Sequence, residues 1–191
     1  LAIHLLELGK KVLVIDDPSF PSSSKVAAGI FNPLTGKKLV KTWLADALFP
    51  FAKQFYTRME EKFQAEFFHH TPVYRPYRSL EEQNNYLAQS VEPSLSTYIG
   101  NESNQPDLSA YIHASYGGLE VVGGGWVDLP VFLESARRYL VAQGVFVESK
   151  FESDQLELVE NGVIWQGKSF GKLMLCQGYE SLSNTYFNWL P

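Results

Sequence analysis

The amino-acid sequence predicts an α/β fold, and three observations favour it. Residues 1–8 form an apolar helical segment that ends at Gly9 and leads into the β-branched run of residues 12–15. Such a continuous apolar run is typical of a strand buried on both faces of a parallel sheet. A second helix–strand pattern occupies the last third of the chain, and a stretch of antiparallel character lies between the two. This order predicts a Rossmann-type domain interrupted by an inserted α+β domain with an antiparallel sheet.

The longest predicted helix lies between residues 42 and 67. Apolar side chains recur there at four-residue spacing, which predicts a helix that turns them towards the core. They are Trp43, Ala47, Phe51, Phe55 and Met59. Pro50 is expected to bend this helix or divide it in two.

The middle of the chain predicts an antiparallel segment. Residues 71–78 alternate and form a strand near a sheet edge, because two prolines interrupt the run. A short helix follows, with Ser79 and Glu82 as a capping box. Residues 89–110 are expected to form a loop, and residues 111–115 and 119–122 are expected to form strands.

The last third of the chain predicts a helix, a strand, a hairpin and a strand. Three consecutive glycines lead to a helix over residues 130–142, with Asp128 as its N-cap or beside the N-cap. Residues 145–147 form a strand, and the hairpin of residues 156–165 turns at an Asn-Gly pair. The apolar residues 173–176 complete the pattern as a buried strand.

Composition excludes several classes of protein. A net charge of −5 and a pI near 5.4 give no electrostatic reason to expect nucleic acid. No apolar run reaches the roughly 20 residues that a membrane-spanning helix needs. The single cysteine, Cys176, is expected to be a core thiol in a cytoplasmic protein. Because the chain opens on Leu1 within an apolar helical pattern, we expect it to be an internal piece of a longer protein.

Two features could bind a ligand. Asp16 stands at the end of the first strand, where an acid can accept both hydrogen bonds of an adenosine ribose; a solvated aspartate is the alternative. Residues 22–29 carry hydroxyls and then almost no side-chain bulk, so a planar ring or a pyrophosphate could approach the backbone. A tight packing contact between a helix and a strand would need the same small residues. A P-loop is excluded because Lys38 stands where that motif needs a hydroxyl.

Three segments together resemble a known family. "SSSKVAAGIFNP" follows "LGKKVLVIDD"; "GGGWVDLPVFLESARRYLVAQGVFV" comes later in the chain, and "LMLCQGYES" comes last. In this order they are similar to the D-amino-acid oxidase family of FAD-dependent oxidoreductases, which includes glycine oxidase and the flavin domain of a tRNA-modifying enzyme. The three matches cover most of the chain. The family's Gly-x-Gly-x-x-Gly and its substrate-carboxylate arginine and tyrosine are not present in the sequence.

The resemblance implies FAD as the cofactor. Asp16 would contact the adenosine ribose, and Ser23 and Ser24 would face the pyrophosphate or ribityl chain. Phe151 would offer backbone groups to adenine. Lys25 departs from the acidic or small residue often found at its position in the family.

The resemblance also implies contacts near the redox ring. Four residues would lie against the isoalloxazine: Ala28, Gly29, Ile30 and Gly178. Asn32 would stand on the substrate side of the ring. Lys38 and Trp43 belong to a basic cluster that could steer an anionic substrate towards the ring, or that could simply form a solvated helix start.

The implied activity is oxidation of a C–N bond of an amine or amino acid by hydride transfer to flavin N5. The implied organisation is an FAD-binding domain in two parts, residues 1–68 and 123–191, around a substrate domain at residues 69–122. No catalytic residue and no metal ligand is assigned, and the chain by itself is expected to be inactive. The alternatives are a nicotinamide-dependent dehydrogenase and a binding module that keeps the fold without redox chemistry.

Overall fold

The computed structural model describes residues 1–100, 108 and 110–178. These residues form a mixed α/β structure with six helices and several small sheets. The helices are α1 (Ala2–Glu7), α2 (Ser23–Val26), α3 (Ala45–Phe63), α4 (Leu80–Ser90), α5 (Pro93–Ser96) and α6 (Leu129–Ala142). The strands are β1 (Val14–Asp16), β2 (Ile30–Phe31), β3 (Leu34–Thr35), β4 (Val40–Lys41), β5 (Phe68–His70), β6 (Val73–Pro76), β7 (Gly118–Val121), β8 (Gly125–Val127), β9 (Phe146–Glu148), β10 (Leu156–Val159), β11 (Gly162–Trp165) and β12 (Lys168–Phe170).

The chain divides into two compact units. The first unit contains Leu1–Ala27 and the described residues from Leu133 onward, and the second is Ala28–Phe132. The domain boundaries that the sequence places at residues 68 and 122 stay a prediction.

The first unit contains a pair of parallel strands. In β1 and β9, Val14 lies opposite Phe146 and Asp16 lies opposite Glu148. Arg137 of α6 forms an ion pair with Glu148, and its guanidinium lies over the ring of Phe146. The predicted helices of residues 1–8 and 130–142 are confirmed as α1 and α6, and the predicted strands of residues 12–15 and 145–147 are confirmed as β1 and β9.

A three-stranded antiparallel meander completes the first unit. The predicted hairpin is confirmed, because β10 and β11 pair from Leu156↔Trp165 to Val159↔Gly162. Its two turn residues are Glu160 and Asn161, one position before the predicted Asn-Gly pair, since Gly162 already belongs to β11. The third strand, β12, pairs with β11 and is not predicted by the sequence. Trp165 is buried in this meander.

The second unit contains three small antiparallel sheets. The strands predicted at residues 71–78 and 119–122 are confirmed as β6 and β7, and the structure pairs them with each other. A three-stranded sheet has the order β2-β8-β5, although the sequence predicts no strand in the glycine-rich run that contains β8. A Cβ at Gly125 would lie 2.1 Å from the carbonyl oxygen of His69 and 2.8 Å from the ring of Phe31. The glycine therefore lets the neighbouring chain approach closely, and it is compatible with a strand for that reason.

The core of the second unit lies between the hairpin β3–β4, the pair β6–β7 and the helices α4 and α5. Its buried residues are Leu34, Leu39, Ala45, Tyr77, Tyr86, Leu95, Tyr98, Leu119 and Val121. The predicted capping box begins α4: Ser79 Oγ accepts a hydrogen bond from the backbone N–H of Glu82 at 3.1 Å. Glu82 Oε2 in turn accepts from the backbone N–H of Arg78 at 2.7 Å. The capping box is confirmed, with the carboxylate bonded one residue before the N-cap.

The face that α3 buries differs from the prediction. Trp43 is 77 % exposed and Phe51 is 55 % exposed, so the four-residue series is not the core face. At about 100° per residue, each step of four advances about 40° round the helix, and four such steps turn the series away from any one side. Alternating steps of four and three residues stay on one side, and that series supplies the face that is buried or half-buried. Its members are Ala45, Phe49, Ala52, Tyr56, Met59 and Phe63. Pro50 does not divide the helix, which is continuous from Ala45 to Phe63.

Two predicted strands are wrong. Residues 111–115 contain no strand, and the backbone N–H groups of Tyr111 and Ile112 donate hydrogen bonds to Leu108 O in a turn. Residues 173–176 pair with no strand among the described residues. Met174 is 51 % exposed and Cys176 is also exposed, so the expectation of a core thiol is wrong as well. An apolar run becomes a buried strand only where a neighbouring strand satisfies its backbone. The loop predicted at residues 89–110 contains the short helix α5, and its residues 101–107 and 109 lie outside the described residues.

Candidate functional site

Asp16 lies at the carboxyl end of a parallel strand. Its side chain is exposed, and its backbone carbonyl oxygen accepts a hydrogen bond from the N–H of Ser149 at 3.2 Å. Because β1 and β9 run in the same direction, both strands end at the same edge of the sheet. The half-buried Phe151 follows β9 by three residues. Ligands of parallel sheets bind at this kind of edge, where an exposed carboxylate can accept hydrogen bonds from two hydroxyls.

The loop after β1 is held by its own side chains. Asp17 Oδ1 accepts hydrogen bonds from the Ser19 hydroxyl at 2.6 Å and from the Ser19 backbone N–H at 2.9 Å. These bonds lower the pKa of Asp17, the side-chain bond most. Lys25 Nζ donates to the carbonyl oxygens of Pro18 and Phe20, each at 2.7 Å. The lysine that departs from the family pattern therefore organises the loop.

The helix α2 presents the predicted hydroxyls to solvent. Ser23 and Ser24 are both exposed in its first turn, and Ser22 makes no side-chain capping bond there. Exposed hydroxyls of this kind can donate to phosphate oxygens. Their predicted role beside a pyrophosphate stays a prediction.

Gly29 makes a close backbone contact in the second unit. Its φ is +67°, and a Cβ built on it would lie 2.0 Å from the carbonyl oxygen of Val127. The backbone N–H of Val127 also donates to Gly29 O at 3.1 Å. Packing against β8 is therefore sufficient to require glycine at this position. The sequence leaves open a packing contact between a helix and a strand as the alternative to a ligand site, and the structure contains a packing contact with a strand but without the helix. Ala28 is exposed beside it.

The face of the sheet that follows Gly29 carries a row of three side chains. Ile30 lies opposite Trp126, and Trp126 lies opposite His69 on its other side. Ile30 is 69 % exposed and Trp126 is 38 % exposed. The imidazole of His69 stacks on the indole, with 4.1 Å between ring centroids. A planar ligand could stack on a surface of this kind.

Sequence reasoning misses two members of this row, Trp126 and His69. They lie 57 positions apart in the sequence and meet only because β8 pairs with both β2 and β5. The one local signal is a tryptophan directly after three glycines. On the opposite face, Phe31 stacks on Phe68 with 5.3 Å between ring centroids.

Asn32 has a structural role. Its Oδ1 accepts a hydrogen bond from the backbone N–H of Leu34 at 3.1 Å, and its carbonyl oxygen accepts from the hydroxyl of Thr42 at 2.9 Å. These bonds form the turn at Pro33 that leads into β3. The predicted position of Asn32 on the substrate side of a ring stays a prediction.

The remaining predicted residues lie on exposed surfaces. Lys38 is at the tip of the β3–β4 hairpin and lines a cleft, and Trp43 precedes α3. Leu44, beside Trp43, has a φ of +51° and is exposed. Gly178 has a φ of +57°, and a Cβ there would meet nothing within 4 Å. The strand predicted before Gly178 is absent, and the role of the glycine itself stays a prediction.

The two units share the predicted site residues between them. The first unit contains Asp16, Ser23, Ser24, Phe151 and Gly178, and the second contains Ala28, Gly29, Ile30, Asn32, Lys38 and Trp43. Within the first unit, Asp16 lies opposite Glu148, the last residue of β9, and the segment that leads to Phe151 starts at that residue. Within the second, Ala28, Gly29 and Ile30 are consecutive and lead into the sheet that carries Trp126.

Comparison with family models and with solved structures adds no relationship. No family model matches the chain, and no solved structure matches it significantly. In the described part of the chain, no helix is long and apolar enough to cross a membrane. The same residues include no group of three His, Cys, Asp or Glu side chains that could hold a metal ion.

Proposed function

We propose that this chain is part of a FAD-dependent oxidoreductase of the D-amino-acid oxidase type, which oxidises a C–N bond of an amine or amino acid. The observation that carries the proposal is the exposed carboxylate of Asp16 at the end of a strand in a parallel pair, followed after a five-residue loop by the small-residue segment of residues 22–29. The strand, the acid and the segment occur in the order that a Rossmann-type FAD-binding domain would need. The resemblance of the three sequence segments is the second support.

The donor and acceptor groups fit the proposed cofactor. Asp16 would accept hydrogen bonds from the adenosine ribose, and Ser23 and Ser24 would donate to the pyrophosphate or the ribityl chain. Ala28 and Ile30 would lie along the isoalloxazine, since both are exposed. Gly29 gives no independent support, because its contact with β8 already accounts for the glycine.

Bound FAD would accept a hydride from the carbon of a C–N bond, which would leave an imine. The side chains of this chain would then bind and orient the cofactor and substrate, and would exclude water from the ring. With hydride transfer to the cofactor, no side chain needs to act as a strong base.

The test is the absorption spectrum of the protein purified with its natural flanking sequence. We expect flavin bands near ~375 and ~450 nm, because the cofactor supplies the chemistry. Asp16→Asn should weaken FAD binding about tenfold or more, since hydrogen bonds to a charged group contribute roughly 1.5–3 kcal/mol. Asp154→Asn is the matched control, because it makes the same charge change at another exposed aspartate of the first unit.

Three results would contradict the proposal. A colourless protein that takes up no added FAD would exclude a flavoenzyme. Tight binding of a nicotinamide cofactor would favour the dehydrogenase alternative. Equal losses of FAD in the Asp16 and Asp154 variants would show that Asp16 has no specific contact with the cofactor.

A further inference from the structure

The second unit contains a cleft between the tip of the β3–β4 hairpin and the helix α4. Its volume is about 470 Å³, and its wall includes side chains from the hairpin and from residues 78–89. Lys37 and Lys38 project from the hairpin side, and Arg78 stands at the start of α4. Three cationic side chains therefore surround one concave surface.

Hydrogen bonds fix the two walls of the cleft to each other. The hydroxyl of the buried Tyr86 donates to the backbone carbonyl of Lys37 at 2.7 Å. Arg75 Nη2 donates to the carbonyl of Gly36 at 2.8 Å and to the Tyr86 hydroxyl at 3.2 Å. All the hairpin partners in these bonds are backbone atoms. The cleft is thus formed without the side chains of Lys37 and Lys38, whose ammonium groups are not needed to hold it.

The charges of the cleft favour an anion. Two carboxylates, Glu81 and Glu82, also line it. Glu82 is held in its ionised form, because its Oε2 accepts a hydrogen bond from the backbone N–H of Arg78 at 2.7 Å and this bond lowers its pKa. Three cations against two carboxylates leave a net positive charge at the start of an 11-residue helix, whose dipole also favours negative charge.

A buried hydrogen-bond acceptor in the cleft favours a ligand that also carries a donor group. Gln89 lines the same cleft, and its Oε1 is buried without a hydrogen-bond partner among the described residues. A buried acceptor without a partner costs roughly 1–3 kcal/mol. Because this oxygen is buried, the Gln89 side chain would have to turn towards the cleft for a ligand O–H or N–H to donate to it, and that hydrogen bond would recover the cost.

We propose that this cleft binds a small organic anion, held through a carboxylate or phosphate group by Lys37, Lys38 and Arg78. A hydroxyl or amino group of the ligand donates to Gln89. The class includes hydroxy acids, amino acids and small phosphate esters. The inference does not rest on the flavin proposal, because its residues and its test involve no cofactor.

The test is a titration of the protein at constant ionic strength, followed by NMR amide shifts and by calorimetry. The probes are succinate, malate and inorganic phosphate, which separate carboxylate from phosphate as the bound group. We expect saturable binding of at least one probe, with shifts confined to the hairpin and to α4. The absence of saturable binding of all three would overturn the proposal.

Matched variants decide whether the lysines of the hairpin are responsible. The double variant Lys37→Gln/Lys38→Gln should weaken binding at least tenfold, and its fold should persist because the hairpin bonds use backbone atoms. The double variant Lys10→Gln/Lys11→Gln removes the same charge from another exposed lysine pair, in the first unit, and should leave binding unchanged. Equal weakening in both would show only nonspecific attraction to positive charge and would refute the site.

Two further variants should act in specified directions. Glu81→Gln should tighten binding several-fold, because it removes the carboxylate that opposes the anion; Glu157→Gln, at an exposed position in β10, should have no effect. Malate adds one hydroxyl to succinate and should bind more tightly to the unaltered protein. Gln89→Leu should abolish that difference. If the difference persists in Gln89→Leu, the donor requirement is wrong.

Discussion

Replacing Gly29 with alanine tests why this position has a residue without a side chain. The flavin proposal and the packing contact both ask for a small residue here, but they predict different costs in the protein without cofactor. If only a bound ring requires glycine, the alanine variant folds as well as any other glycine variant of similar backbone geometry. If β8 requires it, the variant is destabilised before any ligand binds.

The structure gives the magnitude. Alanine at a φ of +67° costs about 1 kcal/mol from the left-handed backbone alone. The new Cβ would lie 2.0 Å from Val127 O, and real Cβ contacts are essentially never shorter than 3.0 Å, so the two backbones must separate by about 1 Å. That movement disrupts the hydrogen bond from Val127 N to Gly29 O, at roughly 1 kcal/mol, and strains the pairing of Ile30 with Trp126. We expect Gly29→Ala to lower the free energy of unfolding by about 3 kcal/mol in total.

Gly36 is a matched control. Its φ is also +67°, but a Cβ there meets nothing within 4 Å. Gly36→Ala should therefore cost only the backbone share, about 1 kcal/mol. The difference of about 2 kcal/mol between the two variants isolates the contact with Val127.

The assay is urea denaturation of both variants without added cofactor, followed by circular dichroism and tryptophan fluorescence. Equal free energies of unfolding for Gly29→Ala and Gly36→Ala would refute the packing explanation. In that case the absence of a side chain at Gly29 would count as evidence for the proposed ring contact.

Three other predictions follow from hydrogen bonds that the structure contains. Glu60→Ala should lower the free energy of unfolding by about 2–3 kcal/mol, because the carboxylate accepts hydrogen bonds from two consecutive backbone N–H groups at the start of β5. The control is Glu61→Ala, at the exposed neighbouring position, which should change the free energy of unfolding by under about 0.5 kcal/mol. Ser79→Ala should cost about 1 kcal/mol, since α4 loses its N-cap bond. The pKa of Tyr98 should be about 12, because burial disfavours the phenolate and the hydroxyl donates to Asp46 at 2.6 Å. This raised pKa stabilises the fold below the ordinary tyrosine value near 10, and the contribution is lost as the pH rises through about 12.

Each of these has a direct measurement. Denaturation curves for the Glu60 and Glu61 variants should separate clearly, and coincident curves would remove the proposed role of Glu60. The Ser79 effect should appear in the same assay, and a neutral result would mean that water replaces the cap. For Tyr98, the absorbance titration at alkaline pH is compared with that of Tyr98→Phe. Asp46→Asn should lower the midpoint, and an unchanged midpoint would show that the carboxylate does not contribute.

Local patterns in the sequence were sufficient for several elements. The capping box at Ser79 and the hairpin of residues 156–165 were predicted because their deciding contacts lie within a few residues of each other. The helix after Asp128 belongs with them, since Asp128 Oδ1 accepts from the backbone N–H of Val131 at 3.1 Å. Each motif satisfies its own backbone groups, so nothing elsewhere in the chain can change it easily.

The candidate site was predictable only in part. Asp16 follows a recognisable strand, and the structure places it at the end of one. The contact that explains Gly29 involves Val127, 98 residues away, and the row of Ile30, Trp126 and His69 depends on the order of three strands. No local pattern specifies which strands become neighbours, because pairing is decided by distant backbone groups.

The sequence by itself therefore determined the α/β class, most helices and the turns, because these depend on propensities and hydrogen bonds between near neighbours. Only the tertiary structure decided which face of α3 is buried and that the glycine run contains β8. It also decided that residues 173–176 have no strand partner among the described residues. Burial and strand pairing are properties of what packs against a segment, and the chain supplies those partners from far along its length.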